Sequence, residues 1–228
     1  MNIRLVFLIL VIVAFASWTG FESYSQSTGL PLAQAYNDGF VNITQNTSAG
    51  TVPHQVNISN NGKDPIKVVI GDVLTSESSQ DLVIAENKTI KKNSTSNIVS
   101  AYCLDPSQRA IPGVKLKTNG TSSDAIKQVI YGSNINDINN STNAQVQIWI
   151  LSSGVNFNIY SGEPVALVES QKINYTKLRQ IVADAKTAIS ARFNVSADNI
   201  KNLNQNGTSN SSGVLDGFSN WLKSTTGI

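Results

Sequence analysis

The chain has little of the chemistry on which most enzymes depend. Its 228 residues include one cysteine, Cys103, and one histidine, His54. A nucleophile needs a neighbouring base and a zinc ion needs several His or Cys ligands, so one residue of each type supports neither kind of site. A Gly-rich phosphate loop and a calcium-type spacing of Asp residues are also missing. We therefore expect a protein that is not an enzyme and that uses no cofactor or metal.

Charged side chains are scarce as well. They make up 14% of the chain, and 17 basic residues nearly balance 15 acidic ones. Nucleic acid is excluded as a partner, because binding phosphates needs a clustered positive surface. His54 lies near the start of the first predicted strand and is expected to be a surface or edge residue. No spacing assigns acid and base roles to the carboxylates, which include Asp105, Asp124, Glu163 and Glu169, so a secreted hydrolase with an unrecognised carboxylate site stays an alternative.

A long transmembrane run is missing too. Arg4 precedes an apolar stretch over residues 5–18, which is shorter than the roughly 18 residues or more that a membrane-spanning helix needs. Residues 1–25 are therefore predicted to be an export signal, cleaved before Gln26 or Ser17, with a retained membrane anchor as the alternative. This segment would be the only part in contact with a membrane. Residues 26–50 are predicted to form a polar linker.

Glycosylation sequons are abundant and point to the same compartment. Composition alone would produce roughly five Asn-x-Ser/Thr sequences, whereas the chain contains twelve. The excess predicts an extracellular or cell-surface glycoprotein. The acceptors are Asn42, Asn46, Asn57, Asn87, Asn93, Asn119, Asn139, Asn140, Asn174, Asn194, Asn206 and Asn210.

The fold class is predicted as α+β. Between residues 51 and 116, short β-branched runs alternate with polar turns, a pattern typical of an antiparallel β-sandwich. A helix capped by Ser122 or Ser123 and ended by Gly132 follows. Further strands are predicted at residues 155–160 and 165–168, and a helical stripe begins at Asn174. The predicted domains are a sandwich at 51–170, with short inserted helices, and a helical tail at 171–228.

Residues 144–151 are ambiguous. As a strand, Val146, Ile148 and Ile150 alternate with Gln145, Gln147 and Trp149. As a helix, Gln145 lies one turn from Trp149. Periodicity does not decide between the two.

The lone cysteine is unusual in an exported protein, since a free extracellular thiol is oxidised or cross-linked. One interpretation is burial: on a strand, Cys103 shares a face with Val99 and Ala101 and acts as a small hydrophobic residue. The other is that its sulfur is already bonded to carbon.

The second interpretation rests on a resemblance. Tyr102-Cys103-Leu104-Asp105, followed by Gln145-Val146-Gln147-Ile148-Trp149, resembles the paired motifs of thioester domains in bacterial surface adhesins. The stretch from residue 57 to residue 151 is also similar to exported archaeal and bacterial domains. Ala144 stands where the adhesins have Thr, and Gln147 where they have Ala. The resemblance implies an internal thioester between Cys103 and Gln145, shielded by Trp149.

Residues 188–204 resemble the second half of a LysM glycan-binding module. This resemblance implies a glycan-binding surface module as an alternative function. The leading expectation is a non-enzymatic surface protein for adhesion or cell-surface structure, whose partner is an unidentified surface glycan or protein. Cys103 is expected to end a core strand, with the Gln145 segment packed against it.

Overall fold

The structure is a computed structural model that describes residues 29–196, 199–200 and 203. The predicted export signal, the sequons at Asn206 and Asn210, and part of the LysM-like segment lie outside the described residues.

The strands of the described region form two sheets, and the α+β class is confirmed. Six antiparallel strands close a barrel in the order β2-β3-β8-β6-β5-β9, while β1, β4 and β7 form a small separate sheet. The predicted sandwich is wrong, because β2 pairs with β9 and closes the sheet on itself. The strands are β1 (Leu30–Pro31), β2 (Val41–Gln45), β3 (His54–Asn60), β4 (Ile66–Val68), β5 (Asp72–Thr75), β6 (Leu82–Ile84), β7 (Lys88–Ile90), β8 (Ile98–Cys103) and β9 (Lys115–Thr121).

The helices confirm some predictions and correct others. The Ser123 hydroxyl caps α2 by accepting from Ile126 N, and Gly132 ends it, as predicted. The ambiguous segment, residues 144–151, is helical: it lies inside α3, and all of its residues are buried. The helices are α1 (Leu32–Asn37), α2 (Asp124–Tyr131), α3 (Ile138–Ser153), α4 (Gly162–Gln171) and α5 (Tyr175–Phe193).

The strands predicted at 155–160 and 165–168 are wrong. Residues 165–168 belong to α4, and residues 155–160 form no strand. Pro164 suggested a turn between two strands, but a helix tolerates proline in its first turn, where the missing N–H has no intrahelical partner. The short apolar run that follows Pro164 is part of this helix, and its buried members are Ala166 and Leu167.

Two predicted boundaries are also wrong. From residue 29 onward the supposed linker is part of the fold, where Leu32 of α1 and Ile43 of β2 are each 1% exposed. The start of the supposed tail, α5, packs on α3 and buries Leu178 and Ile189 in the common core. In both segments a small number of apolar residues is enough to join the segment to the core.

Among the described residues, no helix is both long enough and apolar enough to cross a membrane.

Candidate functional site

Four buried side chains gather at one end of the barrel, which we call the polar mouth: Gln45, His54, Gln80 and Cys103. Gln45 ends β2, His54 begins β3, Gln80 precedes β6 and Cys103 ends β8. Because neighbouring strands run antiparallel, these ends meet at the same rim. The exposed fraction of each of these four residues is 1% or less.

Strand register aligns His54 with the cysteine. His54 is the cross-strand partner of Ala101 in β8. Since alternate residues of a strand share a face, Cys103 lies on the same face as Ala101 and His54. The prediction that Cys103 ends a core strand is confirmed, and its exposed fraction is 0%.

Two helices cover the polar mouth. Helix α3 supplies Gln145 and Trp149, and α4 supplies Glu163, all of them buried. The backbone N–H of Glu163 donates to the Pro106 carbonyl at 2.9 Å, which fastens α4 to the loop after Cys103.

Two glycines permit this close cover. Gly162 (φ +60°) lies so near the Pro106 carbonyl that an added Cβ would overlap it. An added Cβ at Gly50 (φ +79°) would likewise overlap the Ala166 carbonyl. Both the positive φ and the close approach therefore require glycine at these positions.

Gln145 binds the backbone of Cys103 with both ends of its side-chain amide. Its Oε1 accepts from Cys103 N at 2.9 Å, and its Nε2 donates to Cys103 O at 2.7 Å. The expected packing of the Gln145 segment against Cys103 is therefore present. Trp149 lies one turn further along α3, with its ring centroid 5.7 Å from that of Phe157.

The Cys103 thiol is held in its protonated form. It donates to the Asp105 carbonyl at 3.2 Å. Burial raises the pKa of the thiol well above its ordinary value, and the Glu163 carboxylate raises it further. The Trp149 indole N–H lies close enough to lower this pKa, although it completes no hydrogen bond with any described residue. Because the thiolate is the nucleophile, reaction at neutral pH needs a proton acceptor.

Glu163 and His54 form a buried pair. Glu163 Oε1 lies 2.9 Å from His54 Nε2 and accepts from Gly50 N at 2.6 Å. Glu163 Oε2 accepts from Ala110 N at 3.4 Å. The expectation that His54 is a surface or edge residue is wrong: its exposed fraction is 0%, and β3 lies between β2 and β8.

The hydrogen bonds assign the histidine tautomer. Thr47 Oγ1 accepts from Gln55 N at 3.0 Å, so its own hydrogen can be donated to His54 Nδ1, 3.2 Å away. Nε2 then carries the ring hydrogen and donates it to Glu163. The Gln80 side-chain amide also lies 2.9 Å from His54 Nε2. Flipping this amide, which exchanges its oxygen and nitrogen, lets the Gln80 oxygen accept from the same Nε2 hydrogen.

Sequence reasoning missed the roles of Gln45, His54, Gln80 and Glu163. A signal for the first two was available, since Gln45 continues the inward alternation of Val41 and Ile43, and His54 that of Val56 and Ile58. No such signal existed for Glu163, because its helix was predicted to be a turn and a strand.

The remaining predicted residues lie outside the polar mouth. Gln147 is buried and donates to Asn143 within α3. Asp105 accepts from the backbone N–H of Ser107, while Asp124 and Glu169 are exposed. Of the ten sequon asparagines in the described region, nine are exposed, and Asn57 is half-buried.

An open groove lies beside the helical cover. It encloses about 630 Å³, and its lining includes Ser48, Arg109, Ala110, Glu169 and Ser170. Ala110 also donates its N–H to Glu163, so the groove and the buried pair share a wall.

Comparison of the chain with protein-family models, with curated proteins and with solved structures finds no match.

Proposed function

We propose that the chain is an exported, non-enzymatic surface protein in which Cys103 and Gln145 form an internal thioester. The observation that carries the proposal is the pair of hydrogen bonds between the Gln145 amide and the Cys103 backbone, at 2.9 and 2.7 Å. These bonds hold the acyl carbon of Gln145 beside the backbone of the only cysteine of the chain. Proximity of this kind lowers the barrier to a reaction between neighbouring groups.

The chemistry needs no cofactor. The Cys103 sulfur attacks the Gln145 side-chain carbon, the C–N bond breaks, and the nitrogen leaves as ammonia with the thiol hydrogen. The product is an acyl–sulfur bond between the two side chains. An amine or hydroxyl of a partner can then attack the same carbon, which leaves the partner covalently bound to residue 145 and returns the thiol.

The surroundings favour a long-lived thioester. Both side chains are fully buried, and Trp149, itself 0% exposed, lies one turn from Gln145. Water is thus kept from an electrophile that would otherwise be hydrolysed. The groove beside α4 offers a surface on which a partner amine or hydroxyl could bind close to the site.

A surface location has its own support. Nine sequon asparagines are exposed in the described region and are free of the core. Glycans attached there would cover a surface that has few charges. We propose adhesion or cell-surface structure as the role, with a surface protein or glycan as the covalently bound partner.

The intact mass of the mature, deglycosylated protein tests this function. We expect the wild type to lack the mass of one ammonia, and to gain one methylamine when treated with that amine. Cys103→Ala and Gln145→Ala should each show the full mass. Gln147→Ala is the matched control, because it removes an amide from the same helix and should keep the ammonia loss. A wild type of full mass, with Cys103 freely alkylated once unfolded, would contradict the proposal.

A further inference from the structure

Thioester formation must move a proton from the Cys103 sulfur to the departing nitrogen of Gln145. Both groups are buried, so water has little access to carry that proton. Burial also raises the pKa of the thiol, which favours its protonated form. A side chain at the polar mouth must therefore act as acceptor and donor if the proposed function holds, and this inference rests on it.

Glu163 is the side chain placed for this task. It is 1% exposed, and it is fixed by Gly50 N, Ala110 N and His54 Nε2. Its own N–H is bonded to Pro106, in the loop that follows Cys103. His54, which contacts this carboxylate, lies on the same strand face as Cys103.

Two other ionisable groups lie near the thiol, His54 and Asp105. In the tautomer assigned above, His54 Nε2 donates to Glu163 and Nδ1 accepts from Thr47, so neither ring nitrogen is bonded to the thiol. Asp105 also faces the thiol, but its Oδ1 accepts from both the N–H and the hydroxyl of Ser107. Asp105 is also less buried than Glu163 and has a smaller effect on the pKa of the thiol.

We propose that Glu163 accepts the Cys103 thiol proton and delivers it to the leaving nitrogen of Gln145, with His54 as the residue that positions the carboxylate. As the S–C bond forms, the sulfur hydrogen passes to a Glu163 oxygen. As the C–N bond breaks, the same hydrogen passes to the nitrogen, which leaves as ammonia. When a partner amine opens the thioester, Glu163 takes the amine hydrogen and returns it to the sulfur.

The first experiment follows thioester formation by intact mass in full-length protein made by cell-free synthesis and sampled over time. General acid–base catalysis typically contributes a factor of about one hundred or more, so Glu163→Gln should slow the ammonia loss about a hundredfold. Glu77→Gln is the matched control, since it makes the same chemical change at an exposed position whose partner is the surface residue Lys117. Formation at the wild-type rate in folded Glu163→Gln would overturn the proposal.

A rescue experiment separates positioning from mere structure. His54→Gln keeps an amide hydrogen that can still be donated to Glu163, whereas His54→Ala does not. We expect His54→Gln to keep more of the rate than His54→Ala when both are folded by circular dichroism. Equal rates in the two variants would overturn the positioning role of His54.

A second measurement does not depend on thioester formation. In the Gln145→Ala background, which cannot form the thioester, Cys103 is a free thiol, and its titration can be followed by thiolate absorbance. Glu163→Gln should lower the thiol pKa, because a negative charge near the sulfur is removed. An unchanged pKa would overturn the role of Glu163 alone, whereas a wild type of full mass would overturn the proposed function and the proton transfer with it.

Discussion

The side-chain amide of Gln145 makes both of its hydrogen bonds with the backbone of Cys103, a residue 42 positions away in the chain. The side-chain oxygen accepts from the Cys103 N–H and the side-chain nitrogen donates to the Cys103 carbonyl. The amide therefore pairs with the last residue of β8 as the backbone of a neighbouring strand would. The central helix α3 is thereby joined to the barrel at the only cysteine, where the proposed chemistry takes place.

This contact should be important for stability. Gln145→Ala leaves the buried N–H and C=O of Cys103 without partners, which we expect to lower the free energy of unfolding by about 2–4 kcal/mol. Urea unfolding followed by circular dichroism measures the change. Gln147→Ala in the same helix removes only a local contact with Asn143 and should cost less. Equal losses in the two variants would argue against a special role for Gln145.

The glycines under α4 allow a second test. Gly50→Ala combines a positive φ with overlap between the new Cβ and the Ala166 carbonyl, and we expect a loss of about 3 kcal/mol in unfolding free energy. Gly39→Ala is a matched control, because Gly39 has nearly the same φ (+77°) and a Cβ added there would have no atom within 4 Å. It should cost only about 1–2 kcal/mol. Thermal unfolding of both variants decides whether close contact with α4 adds to backbone strain.

The carboxyl of Asp72 should make the stability of the folded protein depend on pH. Burial raises the pKa of this carboxyl above its ordinary value of 3.8, although its Oδ2 accepts from Val69 N. The folded state therefore holds the proton more tightly than the unfolded state, so the contribution of Asp72 to stability decreases as pH rises from about 3.8 through the folded pKa. Asp72→Asn should remove this decrease and be at least as stable at neutral pH. Urea unfolding across this pH range measures it, and a steeper pH dependence in the variant would contradict the expectation.

Glycan occupancy should differ between sequons. Asn57 Oδ1 accepts from Asn97 N and from the Ser96 hydroxyl, and the residue is half-buried. We expect it to stay unmodified in the folded, secreted protein, while exposed acceptors such as Asn42 and Asn119 carry glycans. Mass analysis of glycopeptides tests this. A glycan on Asn57 would show that modification precedes folding of β3.

The sequence could predict one contact of the site and part of the fold. The pairing of Cys103 with Gln145 followed from two short motifs, and the structure places the two residues in contact. The capped helix α2 and the long helix α5 were also predicted, because their signals are local. Barrel closure was not, since the pairing of β2 with β9 joins segments about seventy residues apart.

The apolar alternation of the strands, the sequons and the single thiol were properties of the sequence by itself, because each depends on residue type and nearby spacing. Only the tertiary structure decided that residues 144–151 are helical, that His54 is buried, and that Glu163 pairs with His54. Those outcomes depend on which strand ends share a rim and on how closely α4 approaches Pro106. Such long-range relations are set by the packing of the whole core, and no short stretch of the chain contains them.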